Sequence, residues 1–151
     1  MTERPRRTVV LVRHAKAESG EDKSDHDRDL TSRGTKAATE AGRWLAERLP
    51  APERVWCSSA ARARQTWEAM APSLRPGRVD MDRGLYLASA ADVVERVSAG
   101  GAGTTVVVGH NPTVEQVLAG LVGEGRGMRP GAVAVVDLDA GRLVEFWEPA
   151  R

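Results

Sequence analysis

The sequence predicts an α/β fold with a mostly parallel central sheet, on three observations. Short apolar runs rich in β-branched residues occur at 8–14, 54–59 and 104–110. A segment with helical character follows each of them, the alternation that builds parallel sheets. Each run also ends in polar residues: Arg13-His14, Ser58-Ser59 and His110-Asn111. The carboxyl ends of the strands are where open α/β sheets keep their chemistry. At 151 residues the chain can bury one core but is short for two, so a single domain over 1–151 is expected.

The elements follow in order. Val9-Val10-Leu11-Val12 reads as a buried strand that delivers Arg13 and His14 at its end. Residues 15–29 have no apolar period and are dense in charge, so they read as a long solvated loop. Within it His26, among Asp25, Asp27 and Asp29, is expected to be an exposed histidine with acidic neighbours. Thr31 stands where a helix N-cap belongs, and Ala38, Ala41, Leu45 and Leu49 recur at helical steps, giving a helix of roughly 17 residues that ends before Pro50. The second strand, Arg54 to Ser59, runs into an alanine-rich helical segment from Ala60. Residues 77–87 suggest a short edge strand and a loop, and 91–99 an amphipathic helix through Val93, Val94 and Val97. The third strand stops at His110, after which Pro112 suits a first helical turn and Val114, Val117, Leu118, Leu121 and Val122 continue the helix. Two last strands, 132–138 and 142–147, flank Asp139-Ala140-Gly141 as a hairpin.

Composition narrows the function classes. With 22 basic and 21 acidic residues the net charge is +1, without the basic excess of a nucleic-acid binder. No apolar run approaches the roughly 20 residues of a membrane-spanning helix. Met1 to Arg7 is basic, but the apolar run behind it is only four residues long and leads into Arg13, too short for a signal peptide, so a cytoplasmic protein is expected. The single cysteine, Cys57, excludes an internal disulfide or multi-cysteine metal site and reads as a core thiol. No P-loop, His-Glu-x-x-His or ligand-spaced carboxylate cluster occurs, so neither metal nor cofactor is expected.

If the three strands are parallel neighbours, Arg13, His14, Ser58 and His110 meet at one sheet edge, joined by an arginine from the following helix. Arg62 and Arg64 compete for that place. Two apart on a helix, they point about 200° apart, so one enters the site while the other is solvated. Two arginines and two histidines make a compact cationic pocket suited to a dianionic phosphoryl group.

Leu11-Val12-Arg13-His14 resembles the Arg-His signature of the histidine phosphatase superfamily, the phosphoglycerate-mutase-like enzymes. Ser58, Arg62, Gln65 and Thr66 resemble its second signature, and Val108-Gly109-His110-Asn111-Pro112 its distal histidine motif. Asp27-Arg28-Asp29-Leu30-Thr31-Ser32-Arg33-Gly34 is similar to the Arg-x-Leu-Thr-x-x-Gly segment of the SixA-type branch, whose compact size this chain shares. The resemblance implies a three-layer α/β/α sandwich and a phosphohistidine intermediate on His14, later hydrolysed by water. Arg13, Arg62 and His110 are then the groups that hold the phosphoryl oxygens, with Arg28 and Ser58 as further phosphate contacts. Alignment with the second signature selects Arg62 over Arg64.

Two departures stand out. Ala15 replaces the glycine that commonly follows Arg-His, which strains the turn if that position needs a positive φ. Ester-cleaving branches carry a general-acid glutamate in a Leu-x-Glu pattern, where this chain has Leu85-Tyr86-Leu87. An alkoxide departs poorly without an acid, whereas imidazole leaves readily from phosphohistidine. The expected substrate is therefore phosphohistidine on a protein partner. The alternatives are a small-molecule phosphomonoesterase, with Asp80, Asp82, Glu18 or Glu115 as acid, and a non-catalytic phosphate-binding module.

Overall fold

The computed structural model describes residues 6–151; most of the basic Met1 to Arg7 stretch lies outside them. The strands are β1 (Arg7–Arg13), β2 (Arg54–Ser58), β3 (Arg78–Asp82), β4 (Gly103–Gly109), β5 (Val133–Asp137) and β6 (Arg142–Trp147). They form one sheet in the order β3-β2-β4-β1-β5-β6. β1 to β4 run parallel, while β5 and β6 add an antiparallel hairpin beside β1.

Strand alternation makes three layers. Val10 and Val12 point to one face, where they pack with Ala38, Ala41 and Leu45 of α1 (Ser32–Arg48) and with Ala63, Trp67 and Met70 of α2 (Ala61–Leu74). Val9 and Leu11 point to the other, against Leu85 of α3 (Arg83–Leu87), Val93 and Val97 of α4 (Ala90–Ser98), and Val114, Val117 and Leu118 of α5 (Thr113–Val122). Burying each such side chain is worth about 1.5–3 kcal/mol, so both faces hold β1 in place. Cys57 lies in this core with its thiol pKa pushed up to about 12 by burial.

Helix α1 has the expected 17 residues, and the Thr31 hydroxyl accepts from the Gly34 N–H at 3.0 Å. Two local readings need correction, and a third, left conditional, is resolved. Residues 83–87 are helical rather than loop, because Asp82 Oδ1 accepts from the Gly84 N–H at 2.7 Å and starts a turn. Pro112 precedes the first turn of α5 as its N-cap, where its carbonyl accepts from the Gln116 N–H at 3.0 Å. Ala15 carries no strain: Arg75 is the only non-glycine residue with positive φ among those described. The Ala15 N–H instead donates to Thr66 Oγ1 at 3.0 Å, in a fully buried setting.

Candidate active site

Sheet register brings the two histidines together. Arg13 pairs with Gly109, and the His14 N–H donates to the Gly109 carbonyl at 3.0 Å, so His14 and His110 leave adjacent strands side by side. Their ring centroids are 5.3 Å apart. On the other flank of β4, β2 ends at Ser58, whose hydroxyl lies 2.7 Å from His110 Nε2. Arg62, in the first turn of α2, is 5% exposed and donates from Nε to His14 Nε2 at 3.4 Å. Arg13, His14, Ser58, Arg62 and His110 thus meet at one edge of the sheet. Arg64 lies on the outer side, paired with Glu68.

The hydrogen bonds of His14 define its tautomer. Nδ1 lies 2.8 Å from the Ala15 carbonyl, which can only accept, so the proton is on Nδ1 and the lone pair on Nε2. Burial, followed by the neighbouring positive charge of Arg62, Arg13 and Arg28, lowers the His14 pKa to about 4 against the opposing pull of that carbonyl. His110 is lowered to about 3, by burial and then by His14 and Arg62. Both rings are neutral at pH 7. Arg13 donates from Nη1 to the Met128 carbonyl at 2.9 Å, while Arg13 Nε and His110 Nδ1 are buried without a partner among the described residues.

The loop after β1 supplies a second set of groups. Asp25–Asp27 form a 3-10 turn, and Asp25 engages Arg62 twice: its carbonyl accepts from Nη1 at 2.7 Å and Oδ2 from Nη2 at 3.1 Å. Oδ2 also accepts from the Tyr86 hydroxyl at 2.6 Å, and Oδ1 lies 3.2 Å from Arg28 Nη2. These donors, with that of Tyr86 the strongest, lower the Asp25 pKa to about 2 against the cost of desolvation. Arg28 therefore meets the site through Asp25, with its Nη1 on the Glu18 carbonyl at 3.1 Å. Ser58 is fully buried against His110 and the Ala60 N–H, which makes it a support for His110.

His26 is not the solvated histidine expected. Its Nε2 lies 2.8 Å from Ser59 Oγ and its ring meets Tyr86 edge-on at 4.9 Å, which ties the loop to the end of β2. Asp25 and Tyr86 were missed as site residues. Tyr86 had a signal, since it sits inside the Leu85-Tyr86-Leu87 triplet; Leu87, at the glutamate position, is 73% exposed, whereas Tyr86 also faces His110 at 5.4 Å. Three of the four substitute acids have their carboxylates engaged elsewhere. Asp80 pairs with Arg78, Asp82 caps α3 and pairs with Arg96, and Glu115 holds Asn111 and the Met128 N–H. Glu18 is bonded to Arg28 by its backbone carbonyl.

A half-buried neutral histidine beside two arginines at the carboxyl end of parallel strands is an arrangement suited to a phosphoryl group. The chain belongs to the histidine phosphatase superfamily (branch 1), whose family description matches residues 9–86. It is similar to an uncharacterised protein of Mycobacterium tuberculosis, 40% identical over 120 residues that span 74% of this chain and 72% of that one. Among solved structures, a chain from Nakamurella multipartitia assigned as phosphohistidine phosphatase SixA is 34% identical, with a TM-score of 0.84 over 98% of this chain and 100% of that one. A protein histidine phosphatase SixA complexed with tungstate is 27% identical, with a TM-score of 0.81 over 92% and 95% of the two chains. An Entamoeba histolytica phosphoserine phosphatase, 14% identical with a TM-score of 0.66 over 95% and 98%, shares the fold.

Proposed function

We propose that the protein hydrolyses phosphohistidine on a protein partner through a phosphohistidine intermediate on His14. His14 Nε2 is the nucleophile: its lone pair is fixed there by the Nδ1–H bond to Ala15, and its low pKa keeps it available near neutral pH. As Nε2 bonds to phosphorus, the P–N bond of the substrate breaks, and the departing imidazole keeps the electron pair and takes a proton from water. Water then attacks the phosphorus, releasing inorganic phosphate and restoring His14. Arg13, Arg62 and His110 hold the three equatorial oxygens, the electrostatic contribution that dominates phosphoryl transfer. When the Ser58 hydroxyl donates to His110 Nε2, the proton of that ring is on Nδ1, ready for a phosphoryl oxygen.

One observation carries the choice of a P–N substrate. Among the described residues, the carboxylate bonded to the Arg62–His14 pair is Asp25, and Tyr86, Arg62 and Arg28 already supply it with donors that favour its ionised form. A carboxylate held in this way is a poor acid for an alkoxide, which an imidazole leaving group does not require. The SixA likeness supports the same substrate class.

The test is turnover of a phosphohistidine-bearing peptide, an aryl phosphate and an alkyl phosphate by wild type and His14→Ala. A missing general acid is worth about 10²–10⁴-fold, so phosphohistidine should exceed the alkyl ester in kcat/KM by at least about 100-fold. His14→Ala should lose all three activities. Alkyl-ester turnover as fast as that of phosphohistidine would overturn the substrate assignment. Binding of all three without turnover would make the pocket a recognition module.

A further inference from the structure

We propose that Asp25 is an internal occupant of the phosphoryl site, a carboxylate that substrate must displace from Arg62 and that thereby sets which anions the pocket accepts. The inference rests on reading the pocket as a phosphoryl site. Arg62 presents three nitrogens: Nε faces His14 Nε2, while Nη1 and Nη2 both bond Asp25, one through its carbonyl and one through Oδ2. Two oxygens set against the two terminal nitrogens of a guanidinium form the arrangement in which arginine also grips a phosphoryl group. With both terminal nitrogens engaged, a phosphoryl group on His14 that grips Arg62 end-on, through Nη1 and Nη2, has to displace Asp25.

The two partners differ in freedom. The Arg62 side chain is 6% exposed and that of Asp25 is 56% exposed, so Asp25 is the partner able to move. Asp25 also has other donors to hold it. Oδ1 is already on Arg28 Nη2 and Oδ2 on the Tyr86 hydroxyl, so the carboxylate can leave Arg62 without losing every donor. Arg28 lies tight against the loop. Gly20 has φ +75°, and a Cβ there would come within 2.1 Å of Arg28 Cδ, so only glycine allows this approach.

Displacement selects among anions. A ligand must do better at Arg62 than a carboxylate already tethered there, and a three-oxygen dianion gains further donors in Arg13 Nε and His110 Nδ1. A simple carboxylate ligand offers no more than Asp25 itself.

Calorimetric titration of the full chain with inorganic phosphate near neutral pH tests the proposal. Asp25→Asn and Asp25→Ala should each lower the phosphate Kd by about tenfold, the scale of one charge–charge contact at a partly exposed site. Asp27→Asn removes a like charge two residues away without releasing Arg62 and should change Kd less than about twofold. Adding Arg62→Ala to Asp25→Asn should abolish the gain. Unchanged or weaker binding in both Asp25 variants, with wild-type binding still dependent on Arg62, overturns the proposal and leaves the phosphoryl-site reading intact. Equal tightening in Asp27→Asn also overturns it, because a general field effect then explains the result. Phosphate binding that ignores Arg62→Ala overturns both readings.

Discussion

Arg62 is held from two sides that are built differently. His14 lies on one side, at the end of a strand whose Val9, Val10, Leu11 and Val12 are at most 2% exposed and paired to β4 and β5 along their length. Asp25 lies on the other, in a three-residue turn that contributes no buried residue. His14 therefore inherits its position from the core, whereas the groups that cover the arginine depend on polar contacts among themselves. On the proposed mechanism the difference separates chemistry from admission, with the strand ends setting the transfer geometry and the loop setting what reaches it.

Removing Arg62 itself, against removing Arg28 from the loop side, gives the largest expected contrast. Arg62→Ala should lower kcat/KM for phosphohistidine by about 10²–10³-fold, the usual loss for a donor aimed at developing charge. Arg28→Ala, which touches the site through Asp25, should cost no more than about tenfold. Steady-state kinetics on folded variants decide it. Comparable losses would mean that Arg28 touches the phosphoryl group directly, and the division between strand and loop would fail.

The same division explains what the sequence made legible. The strand ends were readable because period and β-branching locate strands, while their meeting depended on the strands being parallel neighbours, which the register of β1 with β4 supplies. Helical spacing said that only one of Arg62 and Arg64 could face the strand end, and the resemblance to the second signature then selected Arg62 and brought in Thr66. The loop had no period to read. Asp25 and His26 could not be told from their charged neighbours, since their partners, Arg62 and Ser59, are 37 and 33 residues away. Tyr86 was hidden differently, because its triplet was expected to carry a carboxylate and the phenol reaches the site instead.

The loop is nevertheless anchored where it meets α1, and Gly34→Ala would test that anchor with a smaller effect. The Lys16 carbonyl accepts from the Thr31 N–H at 2.9 Å, joining the two ends of the loop. A Cβ on Gly34 would lie 2.3 Å from that oxygen, so backbone must shift. Overpacking of this kind costs about 1–3 kcal/mol, which a urea midpoint would read. An unchanged midpoint would show that the loop end yields freely and that the anchor is no part of the core.

A pH slope separates the two sides by its window. His14 and His110 have folded pKa values of about 4 and about 3, below the roughly 6.5 of an unfolded histidine. Between those limits the unfolded chain binds more protons, so the stability tied to each neutral ring is complete above about pH 6.5 and declines as pH falls. Each ring contributes at most about 1.4 kcal/mol per pH unit, ending at about 4 for His14 and about 3 for His110. Asp25 acts in a different window: its pKa of about 2 lies below the usual ~3.9, so its contribution is present above ~3.9 and is lost only as pH falls toward 2. Urea midpoints between about pH 4.5 and 6.5 should therefore show a slope that His110→Gln reduces by close to one proton and Asp25→Asn leaves unchanged. A slope indifferent to His110→Gln would mean that the strand-end rings are not held neutral by burial, and the contrast between core-set and loop-set groups would lose its electrostatic half.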